Sequence, residues 1–245
     1  MRREKNIGRV LFLYVVLAII MTLPLSFHLK DSIASDLGDP LYSVWVLDWE
    51  IHSLKKGFQD FWNGNIFHPH TQTLLYADYF PALVLLAFPL LAVTKHLILT
   101  YNLLFLLSFI LSALTMYLLM RHLSRSSTAA FIAGLVFAFC PYRMAHLSHL
   151  ELLFSPWIPI CFLFLLRFFD RPSFVNLAGI GFFYILQALS CAYYGVYSLL
   201  FIGLFIVYFS YRFIRLFCGS EGDIKWLRKD RSHARYRALS VCFGS

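Results

Sequence analysis

The stretch Ser35-Asp36-Leu37-Gly38-Asp39-Pro40 places two carboxylates in a turn. Gly38 and Pro40 flank Asp39 and shape the backbone on both sides of the acid. A carboxylate held this way suits a general base or a metal ligand; ordinary turn chemistry uses the same residue types. A second stretch, Asn65-Ile66-Phe67-His68-Pro69-His70, is followed by Tyr76-Ala77-Asp78-Tyr79. Two histidines around a proline can bind metal or phosphate, though paired loop histidines are commonly just solvated. The third stretch runs from Pro141 to Glu151 and contains Arg143, His146 and His149. If it is helical, those three recur at every third position and share one face. An arginine with two histidines suits an anionic phosphate; a solvated helix end is the alternative. A fourth, Ser190-Cys191-Ala192-Tyr193-Tyr194-Gly195, supplies tyrosines of the kind that anchor helices at a membrane interface.

The elements that must carry these residues are membrane helices. Of 245 residues, 60% are hydrophobic and only 14% charged, with a mean hydropathy of +0.69. A soluble domain is nearer half apolar and a quarter charged, and a disordered chain is poorer still in apolar residues. The net charge of +8 reads as membrane topology, because cytoplasmic loops collect Lys and Arg; nucleic acid is not an expected partner. Five scattered cysteines without a C-x-x-C pair indicate neither a disulfide framework nor a zinc site.

The first apolar run, residues 10–29, has the length of a bilayer span and follows Arg2, Arg3, Lys5 and Arg9. Residues 98–120, 150–169, 174–190 and 194–217 read as further spans, and 128–140 as a shorter one ending at Pro141. Residues 79–94 are apolar but short and carry Pro81 and Pro89, which fits an interfacial or re-entrant segment. Charge arbitrates. With 79–94 not crossing, six spans put the Arg121/Arg125, Arg167/Arg171 and Arg212/Arg215 pairs inside and most acids outside. With it crossing, Arg121/Arg125 and Arg167/Arg171 move outside, against the positive-inside rule.

The expected fold class is therefore all-α, a polytopic transmembrane bundle of about six spans. Residues 1–217 form the core, with a large first outer loop at 30–97. Within that loop 41–58 reads as an amphipathic helix on the membrane surface, with Trp45 and Trp49 one turn apart. Residues 218–245 are polar and basic, which reads either as a tail or as the end of a fragment of a longer protein. No Walker loop, G-x-G-x-x-G, G-x-S-x-G or H-E-x-x-H is present.

Taken in order, Gly38-Asp39-Pro40 with Trp45 and Trp49, Asn65-Ile66-Phe67-His68-Pro69 with Leu74-Leu75-Tyr76, Tyr142-Arg143-Met144-Ala145-His146 with His149, and Tyr193-Tyr194-Gly195 resemble a known pattern. Over about residues 8 to 215 the chain resembles the N-terminal part of bacterial GT-C-type integral membrane glycosyltransferases, relatives of protein O-mannosyltransferases and aminoarabinose transferases. The resemblance implies a polyprenyl-phosphate-linked sugar donor and an acidic catalytic residue in the first outer loop. Asp39 takes that role, with Asp36 as the second choice. It also implies a bacterial inner-membrane location. Relatives usually have more helices and often a C-terminal outer domain, and more often carry Glu where this chain has Asp78.

The implied mechanism is direct transfer. Asp39 would take the proton of an acceptor hydroxyl as it attacks the anomeric carbon. Arg143, His146 or His149 would neutralise the departing lipid phosphate, with His68, His70 and Asp78 as further substrate-binding candidates. No cofactor is required; a divalent cation could assist. Two rivals stand beside this expectation. A transporter or flippase of lipid-linked substrates would need ionisable groups within the membrane and repeated or broken helices. An inactive membrane fragment is the other.

Overall fold

Proline and serine punctuate an otherwise continuous run of apolar helix. In the computed structural model, which describes residues 2–218, the first helix, α1 (Arg2–Met21), ends just before Pro24. A 3-10 turn at Leu25–Phe27 follows, short of the expected span end at 29. The long connection that follows contributes α2 (Asp39–Lys55) and α3 (Pro81–Thr94). The rest of the chain is α4 (Leu97–Ser124), α5 (Ser127–Ala138), α6 (Pro141–Ala145), α7 (Leu150–Leu153), α8 (Trp157–Asp170), α9 (Phe174–Ser190) and α10 (Ala192–Cys218). The described residues contain no strand. The basic tail expected beyond α10 lies outside them.

Four helical stretches are long and apolar enough to cross a membrane: Leu97–Ser124, Ser127–Ala145, Leu150–Asp170 and Ala192–Tyr211. The chain is an all-helical membrane protein. Ile7–Met21, Pro81–Thr94 and Phe174–Ser190 are shorter apolar helices. With 14 residues, α3 is about 21 Å long, against about 30 Å of hydrocarbon.

Two breaks interrupt the apolar runs, the first at the expected end of the 128–140 span and the second inside the expected span 150–169. The run from Ser127 breaks at Phe139-Cys140, and Pro141 opens α6 because its missing N–H costs nothing in a first turn. The run from Leu150 breaks at 154–156 before α8, since Pro156 disfavours helical backbone at the residue ahead of it. Its stranded Phe154 carbonyl accepts from Gln187 Nε2 of α9 at 3.2 Å. In a bilayer such a break is tolerated only where the freed backbone groups find partners.

The chain forms two compact units, Met1–Ser198 and Leu199–Ser245. In the first, α4 is the central helix, packing against α1, α2, α3, α5, α7 and α8. Close approach there depends on small residues. A side chain at Gly134 of α5 would collide with the Tyr14 hydroxyl of α1 and the Ala113 carbonyl of α4. Tyr14 stacks on Phe131 at 5.0 Å and donates to its carbonyl at 3.0 Å. Gly179 of α9 likewise faces the Phe164 ring of α8. In the second unit, the described part of α10 exposes Leu199, Leu200, Phe201, Leu204 and Val207, as a lipid-facing helix would.

Polar contacts sort the helix ends of the first unit into two sets. At one end His122 and Asp170 pair at 3.7 Å, joining the C-terminal ends of α4 and α8. At the other, Trp157 Nε1 of α8 donates to Ser190 Oγ of α9 at 3.1 Å. Asn102, one turn into α4, donates to the Leu29 and Ser32 carbonyls at 2.9 and 2.7 Å. This second end also receives α2, which buries a broad face made by Pro40, Ser43, Val44, Val46, Leu47, Glu50, Ile51 and Ser53. The helix begins two residues earlier than expected, with Asp39 in its first turn. It ends at Lys55, ahead of Gly57, whose φ of +69° is left-handed.

Candidate functional site

The chain end at 35–39 is organised by one aspartate and offers the other. Asp36 Oδ1 accepts from the Gly38 N–H at 2.7 Å, closing a turn in front of α2, and Oδ2 accepts from Ser148 Oγ at 3.0 Å. Ser148 Oγ also lies within hydrogen-bond distance of Ser35 Oγ, at 2.7 Å. The Gly38 N–H first, and the Ser148 hydroxyl next, hold the Asp36 carboxyl below the usual carboxylate range. Asp36 therefore clamps the 146–149 turn to the loop after α1.

Three residues after Asp36 and one after Ser148, Asp39 and His149 face each other. His149 Nε2 lies 3.7 Å from Asp39 Oδ2, and its Nδ1 lies 3.5 Å from Glu151 Oε1. Asp39 is 65% exposed while the Glu151 side chain is 5% exposed. Asp39 stands in the first turn of α2, where the unpaired helix N–H groups favour a negative charge. Asp78 joins the group electrostatically: its charge acts on Glu151, on Tyr42 of α2 and on Tyr193 at the start of α10. Burial, and then that charge, raise the Tyr42 phenol above its ordinary value.

The expectation for residues 141–151 needs correction. Arg143, His146 and His149 do not share a helix face, because α6 ends at Ala145 and a turn separates it from α7. Arg143 is 3% exposed and points into the bundle. Its Nε donates to the Ala138 carbonyl at 2.9 Å, Nη1 to Ser155 Oγ at 2.7 Å and Nη2 to the Ser108 carbonyl at 3.3 Å. The guanidinium also lies 4.9 Å from the Phe109 ring centroid. It thus caps the end of α5 and ties the break at 139–140 to α4 and to the α7–α8 link. His146 lies on the same turn as His149, half-buried. Its Nδ1 is 2.7 Å from the Tyr142 carbonyl and its ring lies 4.3 Å from that of Tyr142 and 6.0 Å from that of His149.

His68 and His70 are exposed on the loop between α2 and α3, and no side-chain hydrogen bond or ion pair joins them to this cluster. Their loop is strapped to α2 instead, by Trp45 Nε1 donating to Asn65 Oδ1 and Trp49 Nε1 donating to the Phe61 carbonyl, both at 2.9 Å. Among the described residues, no three His, Cys, Asp or Glu side chains converge as a metal site would require.

Glu151 is the participant that motif reading passed over. It stands two residues after His149, a spacing that carries no helix-face signal, and only the turn at 149 brings it to the imidazole. A second unforeseen carboxyl, Glu50, is 1% exposed beneath α3, where its Oε1 accepts from the Phe80 N–H at 3.0 Å. Burial pushes it up to about 8, against the smaller opposing effect of that N–H. Compared with known proteins, the chain matches no family model, no curated protein and no solved structure.

Proposed function

We propose that the chain is a membrane glycosyltransferase, moving a sugar from a polyprenyl-phosphate donor to an acceptor hydroxyl at the outer face of a bacterial inner membrane. The observation that carries this is the convergence of Asp39, Asp78, Glu151 and His149, from three separate segments, at one end of the helix bundle. The opposite end bears Arg121, Arg125, Arg167 and Arg171, which belongs inside by the positive-inside rule. Six crossings follow: α1, α4, α5 with α6, α7 with α8, α9, and α10. The short α3 stays on the outer side.

In this scheme the acceptor oxygen attacks the anomeric carbon as Asp39 takes its proton. The bond from that carbon to the phosphate oxygen breaks, and the lipid phosphate leaves with the electron pair. His146, with its Nδ1 occupied by the Tyr142 carbonyl, turns its other nitrogen to the leaving phosphate. Arg143 holds the backbone that carries His146 and does not touch the donor.

Two measurements test this. The purified chain in proteoliposomes should transfer a radiolabelled hexose from decaprenyl-phosphate or undecaprenyl-phosphate to an acceptor extract, and complete inactivity with every donor would refute it. In a cysteine-free background, a cysteine at Thr71 should react with an impermeant thiol reagent added outside, and one at Ser126 should not. Outside labelling at 126 would overturn the six-span arrangement.

A further inference from the structure

We infer that His149 relays the proton that Asp39 takes from the acceptor, and that Glu151 is the positioning residue that holds the imidazole for it. The inference rests on the reading of Asp39 as the base. Both ring nitrogens of His149 face carboxylates, Nε2 toward Asp39 at 3.7 Å and Nδ1 toward Glu151 at 3.5 Å. These are ion-pair separations, of the kind that tighten when a substrate closes the site. A proton on Nδ1 directed at Glu151 leaves the Nε2 lone pair for Asp39, so the buried carboxylate selects the tautomer that can accept. The balance is simple. The acceptor hydroxyl proton moves to the Asp39 carboxylate and then to Nε2, which returns Asp39 to its ionised form. The imidazolium so formed lies beside Glu151, and the departing lipid phosphate keeps the electron pair of the broken bond.

The surroundings of His149 argue against a phosphate-binding role for it. Asp39 faces it from α2 and Glu151 from α7. Asp78 acts on Glu151, and the Glu151 charge in turn acts on Tyr101 of α4 and on Cys191 and Tyr193 at the start of α10. His146 is a further base close by, with its ring 6.0 Å away. A phosphate drawn to His149 would meet three carboxylates, whereas a proton is stabilised by them. The geometry is set from the neighbouring positions. Ser148 bonds Ser35 and Asp36, so the clamp residues stand immediately beside the relay residue on one segment and ahead of Asp39 on the other.

The test uses the full chain in nanodiscs, with two independent readouts. In spectra of 15N-histidine-labelled protein, Glu151→Gln and Asp39→Asn should each shift the His149 nitrogens and leave those of His68 and His70 in place. If neither substitution moves them, the pairing does not exist and the inference fails. In transfer assays, Glu151→Gln should lower kcat by about 10- to 100-fold with the donor KM unchanged. His149→Ala should lose about 100-fold or more, and added imidazole should restore part of it. A rise in donor KM with kcat unchanged would make His149 a phosphate ligand instead. Should Glu151→Gln fail to fold, His149→Gln with the Asp39→Asn spectrum decides the same point. A wild-type chain that transfers nothing would remove glycosyl transfer, and so the relay, while the spectra would still report whether Glu151 and Asp39 hold the imidazole.

Discussion

The two ends of the bundle are built from the same apolar helices and differ in how the chain turns. At the arginine end, α4 passes to α5 through Arg125 and Ser126, and α8 passes to α9 through Arg171, Pro172 and Ser173. Each turn closes with a serine whose hydroxyl accepts from the backbone three residues on, Ala129 N–H for Ser126 and Asn176 N–H for Ser173. At the acidic end, beside short links at 95–96 and 191, three connections are long or broken, at 22–38, 56–80 and 139–156. Irregular backbone near a bilayer survives only with its polar groups satisfied, and buried side chains do that here: Arg143, Asn102, Gln187 and Glu50. The lesson is that one end merely reverses the chain, while the other spends buried polar groups to hold an irregular surface in a fixed shape.

The largest expected effect of breaking that contrast is at Arg143. Arg143→Ala strands the Ala138 carbonyl and leaves the buried Ser155 hydroxyl without its donor, and each buried unsatisfied group costs about 1–3 kcal/mol. Thermal unfolding in detergent should show a loss of roughly 6–12 °C, whereas the same change at exposed Arg125 should leave the midpoint nearly unmoved. Equal losses at the two arginines would erase the distinction between the ends.

Glu50 gives a smaller, pH-dependent effect. Its carboxyl is raised from an ordinary 4.5 to about 8 by burial, so between those values the folded state keeps a proton that the unfolded chain releases. Stability is therefore fullest at acidic pH, falls as pH rises through that window, and levels off above it. Unfolding midpoints measured from pH 5 to 9 should decline by a few degrees, and Glu50→Gln should flatten the slope. The smallest effect belongs to the simple end: Ser173→Ala removes one helix cap and should cost about 1 kcal/mol, read as a slight midpoint shift with transfer unchanged.

Much of this architecture was legible in the sequence because long apolar runs declare themselves. Residues 174–190 coincide with α9, and the shortness of 79–94 reappears as the 14 residues of α3. The end of α5 at 139–140 was marked by Pro141, whereas the break at 154–156 was hidden inside an apolar run that only Pro156 marks. Asp39 stood out through its neighbours, Gly38 and Pro40. Arg143 was misassigned to an outer face because helical spacing was extended across a turn that the sequence does not signal. Glu151 was visible as an outer acid but not as a partner of His149, because its contact depends on that same turn.

Asp39 and Asp36 allow the most direct measurement of the central claim, that the irregular end exists to present one carboxylate. Asp39→Asn keeps size and removes the base, so transfer should fall by about 100- to 10,000-fold with expression and unfolding midpoint unchanged. Asp36→Asn keeps an oxygen for the Gly38 N–H and should cost far less. Near-normal transfer by Asp39→Asn, or equal losses at both positions, would contradict the account.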